Sequence, residues 1–182
     1  KKLREQTGVH DLLAMIESET VRLEELAKGI LDFSRPYEFN LVPVDAVPIV
    51  KECVALLSRK FPERTLAFSS DREAVMITAD ANALRQVLIN TIHNAIEADD
   101  RGKPVEIVIK HDVEQIRIRV LDQGPGLSGE VMERLFEPFF STKTKGYGLG
   151  LVICKKILES HHGSFMLENR PEGGCCAELG FP

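Results

Sequence analysis

The chain of 182 residues has no apolar run near the ~20 residues that a membrane-spanning helix needs. It has no run of Lys or Arg that would track a nucleic-acid backbone, and its net charge is −5. The four cysteines, Cys53, Cys154, Cys175 and Cys176, show no paired metal-ligand spacing. Adjacent Cys175 and Cys176 also fit poorly with a disulfide framework, which argues for a reducing, intracellular compartment. The opening KKLREQTGVHDLL has none of the features of a signal peptide. Internal repeats and low-complexity stretches are likewise missing. What remains is a composition 43% hydrophobic, enough for one globular domain and a short appendage. The expectation is a soluble cytoplasmic piece, with no nucleic-acid partner and no membrane contact of its own, that a longer and even membrane-anchored parent could contain.

Val9, Leu12, Ile16, Glu19, Leu23, Leu26, Ile30 and Phe33 follow a 3-4-3-4 spacing, the a/d seam of a coiled coil or antiparallel bundle, broken only by Glu19. A lone helix would leave that stripe in water. Its partner is either a second copy of the same helix or the chain's own globular domain. The pattern stops at SRPYEF, where Pro36 cannot continue a helix and disfavours one at Arg35. This places a boundary between residues 1–36 and 37–182.

Beyond it, Asp45 can cap a helix running to about Lys60, and Asp80 another over Ala81–Ala98. Between them the sequence predicts strands at Thr65–Ser69 and Ala74–Thr78. Val105/Ile107/Ile109 and Ile116/Ile118/Val120 alternate as paired strands. A short helix at Glu130–Leu135 leads into an irregular stretch ending at Tyr147. A helix over Leu149–Ser160 precedes strands at Ser164–Glu168 and Ala177–Phe181. Helices and strands mix without regular β-α-β alternation, so the fold class is a two-layer α/β sandwich: one mixed sheet with helices on one face.

Three short stretches carry candidate chemistry. In KTKGYGLGLVICKK, Gly146, Gly148 and Gly150 alternate straight before a helical pattern, the backbone arrangement that receives an anion at a helix start. No strand precedes them and the third glycine comes one position early, which excludes the dinucleotide fingerprint. Leu151 and Val152 stand where a P-loop requires Lys and Ser or Thr. In LDQGPGL, Asp122 ends a strand and is followed by Gly124 and Gly126, so a partly shielded carboxylate could accept from an exocyclic amine while a flat ring approaches the backbone. In NTIHNAIEA, Asn90 and Asn94 share a helix face that Glu97 extends. Amide oxygens there could complete the shell of a Mg²⁺ held mainly by phosphates and water. Alone, each stretch also has a plain reading: a tight turn, a polar turn, a solvated face. His93 reads as a packing or surface residue.

The order N-x-x-x-N on a helix, D-x-G-x-G after a strand, FEPFFSTK, then G-x-G-L-G-L opening a helix resembles the histidine-kinase branch of the GHKL ATP-binding superfamily, shared with gyrase and heat-shock chaperones. Asn90 and Asn94 resemble its N box, Asp122, Gly124 and Gly126 its G1 box, Phe136, Phe139 and Phe140 its F box, and Gly146, Gly148 and Gly150 its G2 box. HHGSFMLENRPEGG and the terminal LGFP resemble its last hairpin. The seam ending in FSRP resembles the second helix of a dimerisation and phosphotransfer hairpin, which implies a homodimer through that helix.

The resemblance implies ATP and Mg²⁺ as cofactors and a response regulator receiver domain as partner. Asp122 would select adenine, Asn94 would ligate Mg²⁺, and Asn90 would support it or order a water. Lys143 and Lys145 would contact the β- or γ-phosphate, although each could also be a solvated surface lysine. Gly146, Tyr147, Gly148, Leu149 and Gly150 would face the phosphates. Asn90 and Lys143 are the candidate catalytic residues. The three phenylalanines would anchor the base of a short nucleotide lid by apolar packing.

Two departures stand out. Where superfamily ATPases carry a water-activating glutamate this chain has Asn90, which cannot take a proton, leaving Glu97 as a weaker base. Cys175 and Cys176 replace hydroxyl residues near the adenine. None of the five histidines, His10, His93, His111, His161 and His162, has the acceptor context of the family, His10-Asp11 being nearest. The implied protein is a histidine kinase fragment without its own acceptor. Its rivals are a nucleotide-gated clamp, a serine kinase of the anti-sigma-factor type and a nucleotide-free interaction module.

Overall fold

The computed structural model describes residues 12–13, 15–17, 19–20, 23–24, 27, 29–31, 38–99, 102–112, 115–143 and 146–182. The chain divides into two units, Lys1–Pro36 and Tyr37–Pro182. In the first, every described residue between 12 and 31 is helical. Leu12, Ile16, Glu19, Leu23 and Ile30 of the seam are among them, and Val9, Leu26 and Phe33 lie outside the described residues.

The second unit opens with β1 (Val42–Asp45) and α1 (Ala46–Lys60). Asp45 caps α1 by accepting from Val47 N at 3.1 Å, and the same Oδ1 accepts from Val75 N at 3.0 Å. One carboxylate thus starts the helix and fastens the chain at Val75, 30 residues away and just before Met76. Pro48 is harmless in the first helical turn, where its missing N–H has no partner to lose. Next come β2 (Leu66–Ser70), β3 (Met76–Ala79) and α2 (Ala81–Glu97). Asp80 caps α2 through Asn82 N and Ala83 N. Burial alone would raise the Asp80 carboxyl, but backbone N–H groups of Ala83, Asn40 and Asn82 outweigh it and hold the carboxyl below its ordinary range. The far end of α2 leaves carbonyls without intrahelical donors. The Arg64 guanidinium supplies donors to Ile96 O and Asp99 O.

The remaining elements are β4 (Val105–His111), β5 (Ile116–Leu121), α3 (Gly129–Arg134), α4 (Gly150–Ser160), β6 (Ser164–Asn169) and β7 (Cys175–Phe181). The main sheet has the order β2-β4-β5-β7-β6, with β2 parallel to β4 and the other pairs antiparallel. Helices α1, α2 and α4 pack on one face of this mixed sheet, and α3 buries no residue. Ile107, Ile109, Ile118 and Leu179 of the sheet and Leu88, Ile92, Ile157 and Leu158 of α2 and α4 are fully buried in the core.

The expected strand near residues 74–78 exists as β3, but it belongs to a separate antiparallel ladder with β1 and not to the main sheet. β1 itself was not foreseen, because VPVD is short and contains a proline. Pro43 tolerates an edge position, since a two-stranded ladder leaves one side of each strand unpaired.

Candidate nucleotide site

Asp122 follows β5 directly and is 6% exposed. Its Oδ1 accepts from Gly124 N at 2.9 Å and Cys175 N at 3.1 Å, so the carboxylate is fixed by its own loop and by the first residue of β7. The Arg170 guanidinium donates to Asp122 O at 2.8 Å, and Asp122 N donates to Cys175 O at 3.0 Å. Four backbone or charged groups therefore hold one acid in a single orientation.

The glycines around it are required sterically. A Cβ on Gly124 would lie 2.6 Å from Ala98 O at the end of α2. Gly174 has φ +84°, and a Cβ there would lie 2.2 Å from Asp122 O. The Asn169 side chain clamps the loop beyond Gly124, accepting from Leu127 N at 2.8 Å and donating to Leu127 O at 2.7 Å. Asn169, Arg170, Gly174 and the backbone of Cys175 were not among the expected site residues. NRPEGG lies in the stretch that resembles the family's last hairpin, but nothing within it names a site residue, and the β6–β7 pairing brings it to Asp122. The Cys175 thiol lies 3.5 Å from Asn169 Oδ1, and burial pushes it up to about 11, so it faces this loop as a neutral group.

On α2, Asn90 and Asn94 are half-buried one turn apart. The Cys154 thiol of α4 donates to Val87 O of α2 at 3.9 Å; burial pushes it up to about 12, and Asn90 beside it acts in the opposite direction. Cys154 thus ties the helix that begins at the glycines to α2, one turn before Asn90. Asn94 Oδ1 accepts from Lys143 Nζ at 3.0 Å, and Glu97 Oε2 accepts from the same ammonium at 2.6 Å. Lys143 comes 49 residues later in the chain than Asn94. Asn94 O accepts from Ala98 N at 3.0 Å, and Ala98 O abuts Gly124, so one turn of α2 joins the two halves of the site.

Gly148 has φ +65°, and a Cβ on it would lie 2.2 Å from Phe140 O, so the glycine stretch folds back onto the F-box-like segment. Gly146 has φ +136°. Leu149 is the N-cap of α4 and provides no side-chain cap, which leaves the first N–H groups of Gly150 and its successors for another acceptor. Lys145 lies outside the described residues. Tyr147 is half-buried.

The phenylalanines divide. Phe136 packs edge-on against Phe165 with centroids 6.1 Å apart, and Phe140 lies under the Arg134 guanidinium at 4.1 Å. Phe139 does not pack: it is 61% exposed, with φ +67°. Of the three rings expected to anchor by apolar packing, Phe139 departs, because the left-handed turn there leaves its ring exposed.

His161 is buried, and both ring nitrogens are engaged. Asp80 N donates to Nε2 at 3.0 Å, which requires the proton on Nδ1, 2.7 Å from Ile157 O. His93 stacks beside Phe61 with centroids 5.3 Å apart and has Nδ1 3.6 Å from Glu97 Oε2. His10 lies outside the described residues. Among the described residues no helix is long and apolar enough to cross a membrane, and no cluster of His, Cys, Asp and Glu could hold a metal alone.

Residues 79–182, more than half of the chain, match the family described as histidine kinase-, DNA gyrase B- and HSP90-like ATPase. Sporulation kinase A of Bacillus subtilis (strain 168) is 33% identical over 172 residues, which cover 92% of this chain and 28% of that protein's length. The nucleotide-free catalytic domain of the histidine kinase ThkA superposes with a TM-score of 0.73 at 33% identity, covering 79% of this chain and 96% of that one. ThkA in complex with the response regulator protein TrrA gives 0.79 at 32% identity, covering 92% of this chain and 49% of that one. With the N-box, G1 and G2 segments assembled as described, the chain belongs to the histidine kinase-, DNA gyrase B- and HSP90-like ATPase family, as the ATP-binding domain of a histidine kinase.

Proposed function

We propose that the chain is the catalytic region of a two-component sensor kinase that transfers the γ-phosphoryl of Mg-ATP to a histidine on a dimerisation hairpin, for relay to a response regulator receiver domain. The observation that carries this reading is Asp122, a buried carboxylate with a fixed orientation beside a loop that admits only glycine. Such an acceptor suits the exocyclic amine of adenine and would repel the keto oxygen of guanine. The glycines Gly124 and Gly126 let the ring approach, and Gly146, Tyr147, Gly148, Leu149 and Gly150 present backbone N–H groups and a helix start to the phosphates.

Asn94 fits a Mg²⁺ ligand, because its amide oxygen already accepts from a cation, the Lys143 ammonium. A metal would supply charge neutralisation between phosphates. Asn90, beside Cys154 of α4, supports the metal side or orders a water, and Lys143 and Lys145 add charge-assisted contacts to the β- or γ-phosphate. Catalysis is then positioning plus charge stabilisation, which needs no proton-accepting side chain at Asn90.

Residues 1–36 act as the second helix of the hairpin and pair with the same helix of another copy, supported by the seam from Val9 to Phe33. Residues 37–182 form the catalytic domain, working in the cytoplasm. The acceptor histidine is supplied from outside this stretch of chain. His161 supports that view, since both its nitrogens are engaged inside the fold.

Incubation with radiolabelled ATP tests this. The chain alone should take up no label, while a supplied hairpin carrying the first helix should gain acid-labile, base-stable phosphate. Acid-labile label on the chain alone, abolished by His10→Gln, would overturn the missing acceptor. Failure to bind ATP at all would overturn the whole reading.

A further inference from the structure

The ammonium of Lys143 sits where the proposed metal ligand Asn94 would otherwise face solvent. It is held there by Glu97, whose Oε2 is 2.6 Å away, closer than Asn94 Oδ1 at 3.0 Å. The carboxylate is therefore the stronger anchor, and the amide oxygen shares a cation that Glu97 has brought. Lys143 and Glu97 are each 37% exposed, so the contact is wet enough to break and reform. Glu97 Oε2 also lies 3.6 Å from His93 Nδ1, one turn earlier on α2. Lys143 itself is braced by Ser141, whose Oγ accepts from Lys143 N at 3.1 Å.

Resting on the ATP-binding reading above, we propose that Glu97 sets the metal requirement of the site: it parks Lys143 on Asn94 as a resident cation, so that nucleotide binding exchanges one ammonium for the metal. With no nucleotide, Asn94, Glu97 and Lys143 form a group without net charge. Nucleotide arriving without metal draws Lys143 toward its phosphates and leaves Glu97 bare beside them, like charge against like. Nucleotide arriving with Mg²⁺ replaces the ammonium on Asn94 by a divalent ion. The lysine is then released to the phosphates, and positive charge still faces Glu97. Glu97 thus rejects the metal-free nucleotide and keeps the lysine from wandering in the empty site. The superfamily position of the water-activating base is Asn90, not Glu97, so this is a positioning and selecting role and involves no proton transfer.

The test has two arms on the full chain. In the first, Lys143 acylation by an amine-reactive ester is followed by peptide mass spectrometry without nucleotide. Glu97→Gln should raise the rate roughly threefold, the factor expected for loss of a part-exposed ion pair. Millimolar MgCl₂ should raise it in the parent but not further in the variant. In the second arm, ATP affinity is measured with Mg²⁺ and with EDTA. Glu97→Gln should tighten the metal-free affinity roughly fivefold, through removal of one like-charge neighbour, and narrow the Mg²⁺/EDTA ratio accordingly. Lys143→Ala, which removes the exchanged cation, should weaken the metal-free affinity. An acylation rate unchanged by Glu97→Gln, or a Mg²⁺/EDTA ratio within 1.5-fold, taken as about the precision of such titrations, would overturn the proposal. A parent that binds no nucleotide would refute the ATP reading, while the acylation arm, which needs none, would still decide whether Glu97 holds the lysine.

Discussion

Replacing Asp122 by Asn should reverse the base preference of the site, because the structure dictates which way the new amide must face. Gly124 N and Cys175 N both donate to Oδ1, at 2.9 and 3.1 Å. In the variant only the amide oxygen can take that place, since an NH₂ there would oppose two donors. Turning it the wrong way forfeits two hydrogen bonds, about 1 kcal/mol each, so the right orientation should prevail by roughly thirtyfold. The other atom, facing the ligand, then becomes a donor. An adenine amine loses a charge-assisted hydrogen bond worth ~1.5–3 kcal/mol. ADP affinity should accordingly fall roughly 10- to 150-fold. A guanine keto oxygen meets a donor where it met a carboxylate, so GDP affinity should rise. Titration calorimetry with both nucleotides in Mg²⁺ reads the two changes together. Asp122→Ala is the poorer probe, because it strands two buried N–H groups at ~1–3 kcal/mol each and confuses affinity with stability. An Asn variant that binds ADP within about twofold of the parent, the scatter of such titrations, and keeps its ADP/GDP ratio would refute the assignment of Asp122 to the base.

Asn94→Ala should abolish most of the Mg²⁺ dependence of ATP binding while leaving thermal unfolding near the parent's, since the amide is half-buried and bonded only to a surface lysine among the described residues; equal Mg²⁺ dependence by calorimetry would return the residue to plain surface. Gly148→Ala should lower the melting temperature, because an Ala at φ +65° costs about 1–2 kcal/mol before its Cβ meets the Phe140 backbone. Gly150→Ala, with nothing within 4 Å of its Cβ, should not lower it, and indistinguishable melting curves for the two would contradict the packing described. Asp80→Asn keeps a capping oxygen but loses the charge at the start of α2, so it should be less stable at neutral pH by about 0.3–1 kcal/mol. The Asp80 carboxyl is held below its usual 3.8, so its contribution is present above that value and is lost as pH falls through the lower folded value. Acid titration of both proteins by circular dichroism should show the gap closing there, and a gap that persists in stronger acid would be evidence against the cap.

Much of the architecture could be read locally. Asp45 and Asp80 announce α1 and α2, and alternating Val and Ile announce β4 and β5, because capping and periodicity depend on residues only a few positions apart. The glycines of the G1 and G2 stretches could be read for a similar reason: backbone that must turn or be approached closely excludes side chains wherever it occurs. Their order along the chain is enough to point to the family.

What only the tertiary structure decided lies in contacts between distant parts of the chain. VPVD is too short to declare a strand, and β1 exists because β3 pairs with it. Nothing within FSTK shows that Lys143 would rest on Asn94 and Glu97, and nothing in NRPEGG shows that Asn169, Arg170 and Gly174 would close around Asp122. Phe136 and Phe140 pack while Phe139 faces out, a choice made by one left-handed backbone turn that the sequence FEPFF does not mark. The amino-acid sequence alone marked which groups are candidates for the chemistry and which backbone positions must stay bare. Their pairing was set by strand register and helix packing, because those bring together residues 40 and more positions apart, beyond the reach of any local preference.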